Sequence, residues 1–368
     1  MFIEIHMLQN FAPSNLNRDD TGNPKDTEFG GVRRARISSQ CIKRAIRNEP
    51  IFSEITAVEP GIRTRWMNRL LAEELEKTGK NETQAHVVAD ALAAQYCKMD
   101  KNHTSVLIYL SQSEVKAITG QLLARWEEII ASLKDGKSSA IDAIAKDLFK
   151  TLKDRTGAPD IALFGRMLAE KPELNIDAAC QVAHAISTHR VSMDMDFYTA
   201  VDDLSRDDEA GAGMMGVTAF NSACFYRYAR IDWELLVKNL GDDKDLARKT
   251  VEGFLRATIS AVPTGKQTSF AAQNPPDFVL GVVRKDGESW SLANAFEKPI
   301  KANRDGGYLT GSVEALDKYW GRLVKVYGNG NFTPVAFVLD EDAPLINLKD
   351  AIKPNRDLWV DGLLAGLE

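Results

Sequence analysis

Cysteine is scarce in this 368-residue sequence, and the few cysteines are scattered. They lie at Cys41, Cys97, Cys180 and Cys224, and no two of them form a Cys-x-x-Cys pair. Structural zinc sites and small disulfide-stabilised domains both need several cysteines at regular, close spacings. The sequence therefore predicts neither a disulfide framework nor a zinc site, and it fits the reduced thiols of a cytoplasmic protein.

Long hydrophobic runs are lacking too. No apolar stretch approaches the roughly 18 residues that cross a bilayer, so we expect no membrane partner. The opening segment MFIEIHMLQN has no basic region ahead of its apolar residues, which predicts a strand and not a signal peptide. Internal repeats and low-complexity segments are absent. The length is sufficient for two or three domains with hydrophobic cores, and the composition is that of an ordinary globular protein.

Acidic residues are missing from one segment, Gly30 to Arg47, which holds six Lys and Arg residues and no Asp or Glu. The whole chain has a net charge of −6, so the remaining residues together carry −12. Cations concentrated in one place within an acidic chain indicate an anionic partner, whereas a solubilising charge would be spread out. We call this segment the basic island.

The second half of the basic island predicts a helix. Ser38 and Ser39 are good N-cap residues for a helix that starts near Gln40. One face of that helix carries the polar residues Gln40, Lys43, Arg44 and Arg47, and the other face is apolar. Helix N-termini and cations both suit a phosphodiester backbone. The alternative is a solvated basic face.

Several motifs in and before the basic island resemble one known family. They are Asn17-Arg-Asp-Asp, Lys25-Asp, Phe29-Gly-Gly, Arg34, Arg36-Ile-Ser-Ser-Gln, Lys43-Arg-Ala and Arg47. Together they resemble the N-terminus of the CasC family, the backbone subunits of the type I-E CRISPR surveillance complex Cascade, within the RAMP superfamily. The resemblance implies that the guide RNA (crRNA) backbone is bound by Arg18, Lys25, Arg34, Arg36, Ser38, Gln40, Lys43, Arg44 and Arg47.

The resemblance returns in two later segments. Asp160-Ile-Ala-Leu-Phe-Gly-Arg-Met resembles a family segment that reaches the guide, which implies a phosphate contact for Arg166 and a base contact for Met167. A buried Met167 is the alternative. The loop at residues 263–277 matches a further family motif, and an ordinary capped loop is the alternative there. Its predicted contacts to phosphate and 2′-OH groups come from Lys266, Gln267, Ser269 and Asn274.

A third segment resembles the family's thumb, which folds over the RNA of a neighbouring subunit and kinks the guide. Tyr198 to Leu204 matches the thumb pattern, including Thr199. Residues 203–219 are rich in glycine and predict a flexible thumb loop. Met214 and Met215 are expected at its tip, where exposed apolar side chains insert between bases.

The periodicity predicts an α+β fold with a large helical insertion. The resemblance implies an RRM-like (ferredoxin-like) palm formed by residues 1–50 and 193–368, with a helical fingers subdomain at residues 51–192. We expect Phe2 to Gln9 to form a strand with one face on the core. Residues 278–284 and 288–292 predict a hairpin. Three apolar stripes between residues 62 and 189, the first beginning at Trp66, predict core-facing helices.

The function implied is that of a non-catalytic RNA-binding subunit, without cofactor, metal or catalytic residues. Its expected partners are crRNA, further copies of itself in a helical filament, target DNA, and the large, small, 5′-end and 3′-end capping subunits of Cascade. An alternative is a metal-dependent endoribonuclease of the type III backbone kind, because paired carboxylates can hold Mg²⁺. Its candidate ligands are Asp194, Asp196, Asp202 and Asp203. A third reading is a single-strand binder that needs no guide.

Overall fold

A computed structural model describes residues 1–136, 138–153, 155–200, 214–328, 330–340 and 342–367. The chain forms two compact units. The palm unit consists of Met1–Glu49, Gln181–Ile231 and Phe254–Glu368, and the helical unit consists of Pro50–Cys180 and Asp232–Gly253. The bounds differ from the predicted ones at three places: residues 181–192 cluster with the palm unit, and Pro50 and residues 232–253 cluster with the helical unit.

Runs of strands and runs of helices follow one another along the chain. The strands are β1 (Phe2–Ser14), β2 (Asp26–Phe29), β3 (Val32–Ile37), β4 (Ile62–Thr64), β5 (Met99–Asp100), β6 (His103–Thr104), β7 (Ile108–Leu110), β8 (Cys180–Val182), β9 (Ala185–Ser187), β10 (Asp194–Ala200), β11 (Met214–Asp232), β12 (Phe278–Arg284) and β13 (Phe332–Val338). The helices are α1 (Ser39–Arg47), α2 (Pro50–Thr56), α3 (Met67–Lys77), α4 (Glu82–Tyr96), α5 (Gln112–Ala124), α6 (Trp126–Lys134), α7 (Ser139–Thr151), α8 (Pro159–Phe164), α9 (Trp233–Asn239), α10 (Lys244–Ser260), α11 (Gln267–Phe270), α12 (Leu309–Tyr327) and α13 (Arg356–Ala365).

The palm unit is built on an antiparallel sheet with the strand order β13-β12-β1-β11-β9-β3-β2. Strand β1 lies near its centre and pairs with β12 from Phe2 opposite Arg284 to Leu8 opposite Phe278. Helices cover the sheet, so the predicted α+β class with an RRM-like palm is confirmed. The expectation that only one face of β1 is buried is wrong. Glu4 and His6, on its other face, are fully buried because polar partners lie there.

Those polar partners also explain why the predicted hairpin is wrong. Strand β12 pairs with β13 on the side away from β1, and residues 288–292 form no strand. The backbone N–H of Trp290 donates to the Glu4 carboxylate at 2.6 Å, and that of Leu292 donates to the Tyr226 hydroxyl at 2.8 Å. Backbone donors that bind buried side chains are not available to a strand ladder.

The helical unit has a core of its own, formed by the apolar faces of α3 to α7. The three predicted stripes supply about half of it and α4 supplies much of the remainder, which confirms the stripes as core-facing helices. Trp66 is the exception, because 48% of its surface is exposed. It occupies the N-cap position of α3 with φ −100° and ψ 41°, so the helical period that buries Met67 and Leu71 does not extend back to it.

The turn between β2 and β3 fixes the start of the basic island. Gly30 and Gly31 both have positive φ values, 62° and 72°. A Cβ atom on Gly30 would overlap the carbonyl oxygen of Glu297, whereas a Cβ on Gly31 would meet nothing within 4 Å. The turn therefore requires glycine at Gly30 for close packing as well as for backbone conformation.

This difference predicts unequal losses of stability. Both Gly30→Ala and Gly31→Ala place a Cβ at positive φ, which costs about 1 kcal/mol. Gly30→Ala must also displace backbone at Glu297, so we expect it to lower the free energy of unfolding by about 1–3 kcal/mol more. Urea unfolding of the two variants measures the difference, and equal losses would contradict the packing of this turn.

Candidate nucleic-acid interface

Helix α1 presents the cations of the basic island as predicted. The Ser38 hydroxyl accepts a hydrogen bond from the Cys41 backbone N–H at 3.4 Å and caps the helix. Ile42 and Ile46 are buried, so the apolar face of α1 packs inward. The polar face lies outward, with Gln40 and Arg44 exposed and Lys43 and Arg47 half-buried.

The loop before β2 is held in place by asparagine side chains. The Asn17 side chain accepts from the Ser38 backbone N–H at 2.8 Å, and its backbone carbonyl accepts from the Lys25 N–H at 2.8 Å. Asn15 donates to the backbone carbonyls of Gly22, at 3.0 Å, and Ala219, at 2.9 Å. The loop is therefore fastened both to the start of α1 and to the base of β11.

A groove of about 520 Å³ opens between this loop and the segment that precedes α11. Its lining residues are Leu16, Asn17, Arg18, Asp19, Asp20, Gly22, Cys41, Thr264 and Gly265. A Cβ on Gly265 would overlap the Leu16 carbonyl, so the two walls touch at the floor of the groove. We call this feature the palm groove. It brings together three segments whose lining residues are separated by up to 249 positions, from Leu16 to Gly265.

The cations predicted to bind RNA contribute charge at the palm groove. Burial raises the pKa of the half-buried Cys41 thiol, and the positive charges of Lys25 and Arg44 partly oppose that rise. Arg36 donates to the Asp26 carbonyl at 3.1 Å and lies 3.2 Å from a ring nitrogen of His184. Burial, Arg36 and Lys25 lower the pKa of His184, which keeps its ring neutral near pH 7.

The four residues of the 263–277 loop that were predicted to contact RNA fall into two groups, those bound within the protein and those near its surface. Gln267 donates to the Pro263 carbonyl at 2.9 Å, and Asn274 accepts from the Ala12 N–H at 3.4 Å, so both side chains hold the loop in shape. Ser269 is exposed and Lys266 is half-buried beside the palm groove. Lys266 has a φ of 51°, a conformation that turns the chain into α11.

Arg34 does not join the other cations, and its predicted RNA contact is wrong. Its side chain is fully buried and donates to the backbone carbonyls of Phe29, Ser187 and Phe296 at 3.1, 3.1 and 2.7 Å. Its guanidinium is therefore bound to backbone carbonyls inside the palm unit and is not available to RNA. Arg33, which was not predicted to bind, is exposed and paired with Asp26.

Arg166 lies in the helical unit, and its predicted phosphate contact is also wrong. Its guanidinium is buried with the Glu114 carboxylate at 2.6 Å and donates to the backbone carbonyls of Leu174 and Tyr109. Its neighbour Met167 is 83% exposed, which overturns the buried alternative for that side chain. The base contact of Met167 stays a prediction.

The part of the thumb that the structure describes, up to residue 200 and from residue 214 onward, differs from the predicted flexible loop. Met214 to Ala219 belong to β11 and pair with β10, with Met215 opposite Thr199 and Met214 opposite Ala200. The two methionines therefore lie on a ribbon strand and not in a loop. Residues 201–213, which include most of the predicted thumb loop and the candidate ligands Asp202 and Asp203, lie outside the described residues.

The ribbon carries three exposed apolar residues that the sequence analysis missed, Met195, Phe197 and Val217. They share one face with the predicted Met215, and each of the four is 63–67% exposed. The alternation in Asp194-Met-Asp-Phe-Tyr-Thr-Ala was the available signal. At the root of the ribbon, the rings of Phe220 and Phe270 lie 5.5 Å apart. That contact joins β11 to the segment that forms one wall of the palm groove.

Three further findings bear on function. Asp194 and Asp196 are exposed on the same face of β10. Among the residues that the structure describes, no three His, Cys, Asp or Glu side chains are grouped so that they could hold a metal ion. None of the described helices is both long and apolar enough to cross a bilayer.

The burial of Arg166 leads to a test of its role. Arg166→Met leaves the Glu114 carboxylate buried without its partner, so we expect the free energy of unfolding to fall by about 3–5 kcal/mol. The matched control is Arg69→Met, which breaks an exposed pair with Glu73 in the same unit and should cost about 0–1 kcal/mol. Denaturant unfolding measures both. A stable Arg166→Met variant with weakened RNA binding would contradict the assignment.

Comparison with known proteins places the chain in a family. Residues 3–356 match the family model of the CT1975-like proteins, designated Cas_CT1975. A chain of a "CRISPR RNA-guided surveillance complex, pre-nicking" is similar over 100% of both chains, with 31% identity and a TM-score of 0.88. A chain of a second "CRISPR RNA-guided surveillance complex" is 27% identical over 99% of both chains, with a TM-score of 0.78. No curated protein matches. The chain belongs to the CT1975-like protein family.

Proposed function

We propose that this protein is a crRNA-binding backbone subunit of a CRISPR RNA-guided surveillance complex. Two solved chains from such complexes are similar to it over nearly their whole length. The observation that carries the proposal is the palm groove, where α1, the loop held by Asn17 and the segment before α11 meet. Cations stand at or beside it on all three segments.

The palm groove suits a nucleic-acid backbone better than a base sequence. Arg18 lines it together with the carboxylates Asp19 and Asp20, and Lys25, Arg44 and Lys266 stand beside it. Lys43 and Arg47 extend the same polar face of α1, while Asn15 and Asn17 are occupied by internal hydrogen bonds. Contacts to phosphates position a strand without reading its bases. A subunit that must accept guides of any sequence needs this property, because the target is selected by base pairing with the guide.

The finer assignment is type I-E, in the manner of CasC. The motifs from Asn17 to Arg47 and from Pro263 to Asp277 support it. In this proposal copies assemble along the guide, and the apolar face of the β10–β11 ribbon kinks the RNA. The subunit works without catalysis. The guide is presented to target DNA together with the large, small and capping subunits.

The endoribonuclease alternative depends on carboxylates at the ribbon. Asp194 and Asp196 share an exposed face, which is the arrangement that a Mg²⁺ ion would need from its first two ligands. They are close in sequence to Asp202 and Asp203. RNA cleavage in the presence of Mg²⁺ should therefore be measured together with RNA binding.

The binding test uses Lys43→Ala combined with Arg47→Ala. We expect guide-length RNAs of several unrelated sequences to bind about tenfold or more weakly, by a similar factor for each. The slope of log affinity against log salt should become shallower by about 1.4, since each phosphate contact to a single strand contributes about 0.7. Filter binding over a range of salt concentrations measures both quantities.

The matched control is Lys318→Ala combined with Arg322→Ala, which removes the same residue types at the same spacing from exposed positions of α12. It should bind RNA like the wild type. A loss confined to some sequences, or an equal loss in the control, would contradict the proposal. Cleavage of target RNA with Mg²⁺ that disappears in Asp202→Ala would instead favour the ribonuclease.

A further inference from the structure

Three basic side chains from separate parts of the palm unit meet beside strand β3. Lys25, just before β2, is held because its backbone carbonyl accepts the Arg36 N–H at 2.9 Å. Arg36, on β3, is in turn paired with β9. His184 stands in the turn before β9, where the N–H of its neighbour Ala183 donates to the Tyr228 carbonyl at 2.9 Å. Backbone hydrogen bonds therefore fix the positions of all three residues.

The contact between Arg36 and His184 joins a cation to a neutral base. A guanidinium nitrogen of Arg36 lies 3.2 Å from Nδ1 of His184. Because arginine only donates hydrogen bonds, Nδ1 must accept here and carries no proton. His184 is exposed, and the Nε–H of Arg36 is donated to the Asp26 carbonyl at 3.1 Å. The other guanidinium donors and the imidazole therefore lie within reach of one ligand.

The acids of the neighbouring strand point away from this contact. Strand β2 carries Asp26 and Glu28, and its register with β3 places both on the face that holds Arg33. Side chains alternate between the faces of a strand, so Arg36 lies on the opposite face. Asp26 is moreover paired with Arg33. The carboxylates of β2 therefore do not neutralise the cations beside His184.

The charges that act on His184 are positive. Burial, Arg36 and Lys25 lower the pKa of its imidazole, in that order of size. Two further elements adjoin this turn: β11 pairs with β8 and β9, and α1 follows β3 directly. Their charged residues are Arg227, Arg230, Asp232, Lys43, Arg44 and Arg47, of which Asp232 caps α9.

A neutral imidazole between two cations is a site that an anion stabilises. In the free protein, Lys25 and Arg36 oppose a third positive charge on His184. A phosphate placed among the three side chains replaces Nδ1 as the acceptor of the Arg36 N–H. It also favours the imidazolium, whose two ring nitrogens both donate, and hydrogen bonds between charged groups are the stronger kind.

We propose that Lys25, Arg36 and His184 form one phosphate site on the RNA-binding face, and that His184 takes up a proton from solvent when the phosphate binds. This inference rests on the proposed function, because the guide RNA supplies the phosphate. Arg36 moves its N–H from Nδ1 to a phosphate oxygen, and the proton that arrives on Nδ1 donates to the same group. Sequence analysis assigned no RNA contact to His184.

The direction of the pH effect follows from the two states of the site. The pKa of His184 is lowered in the free protein, and the bound phosphate raises it. Between those two pKa values only the complex carries the proton. RNA binding therefore strengthens as the pH falls through this interval, by about tenfold for each pH unit that separates the two pKa values.

The test measures the affinity of the full chain for oligouridylate of about 16 nucleotides. Buffers free of phosphate cover about pH 8 to about pH 5.5, a range that spans the ordinary titration of histidine and in which uracil takes up no proton. His184→Gln removes the titrating group, and His184→Lys replaces it by a permanent cation. The matched control is His86→Gln, at an exposed histidine of α4. Calorimetry in two buffers with different heats of ionisation counts the protons taken up.

We expect the wild type and His86→Gln to bind about threefold to tenfold more tightly at the low end of this range than at the high end, with up to about one proton taken up per bound copy. His184→Gln should lose most of that gain and of the proton uptake. His184→Lys should bind more tightly than His184→Gln at the high end, with little dependence on pH.

The outcomes separate this inference from the proposed function. RNA binding that strengthens equally in the wild type and His184→Gln as the pH falls would overturn the role of His184 without contradicting the RNA-binding role of the subunit. The same holds if the two proteins take up equal numbers of protons. An absence of RNA binding by the wild type at every pH would overturn both.

Discussion

The buried guanidinium of Arg34 is the contact on which the palm groove depends. It donates to backbone carbonyls from three separate parts of the chain, at Phe29, Ser187 and Phe296. A buried charge is tolerated only where its donors are satisfied, so these segments must come together for the palm unit to fold. Strand β3 is thereby fixed, and Ser38, four residues after Arg34, is placed to cap α1. The position of the cations on α1 therefore depends on Arg34, a cation that is itself buried.

The same separation of roles recurs across the molecule. Side chains that organise the palm groove, such as Asn15, Asn17 and Gln267, are bound to the protein itself, whereas Arg44 and Arg18 are exposed at its edge. The helical unit repeats the arrangement. Arg166 is held by Glu114 in the interior, while its neighbour Met167 is exposed. A binding surface fixed in this way needs little reorganisation when a strand arrives, which lowers the cost of association.

Local patterns predicted local features well. The cap at Ser38, the faces of α1 and the helical stripes follow from residues within a few positions of one another. The features that were predicted wrongly depend on contacts between residues that are far apart in the chain. Arg34 and Arg36 look alike in sequence, but only Arg34 is covered by a segment 262 residues away. Arg166 pairs with the carboxylate of Glu114, which lies 52 residues earlier in the chain. Trp66 has the right spacing for the core and lies one residue outside the helix that would have buried it.

Amide hydrogen exchange with and without a guide RNA tests the central claim most directly. If the palm groove holds the RNA backbone, exchange should slow together in residues 16–22, 39–44 and 264–270 at the same RNA concentration, because these three segments form its walls. Helix α12, on the same unit, provides an internal reference. RNA binding with no slowing in any of the three segments, or with slowing in only one of them, would contradict the account.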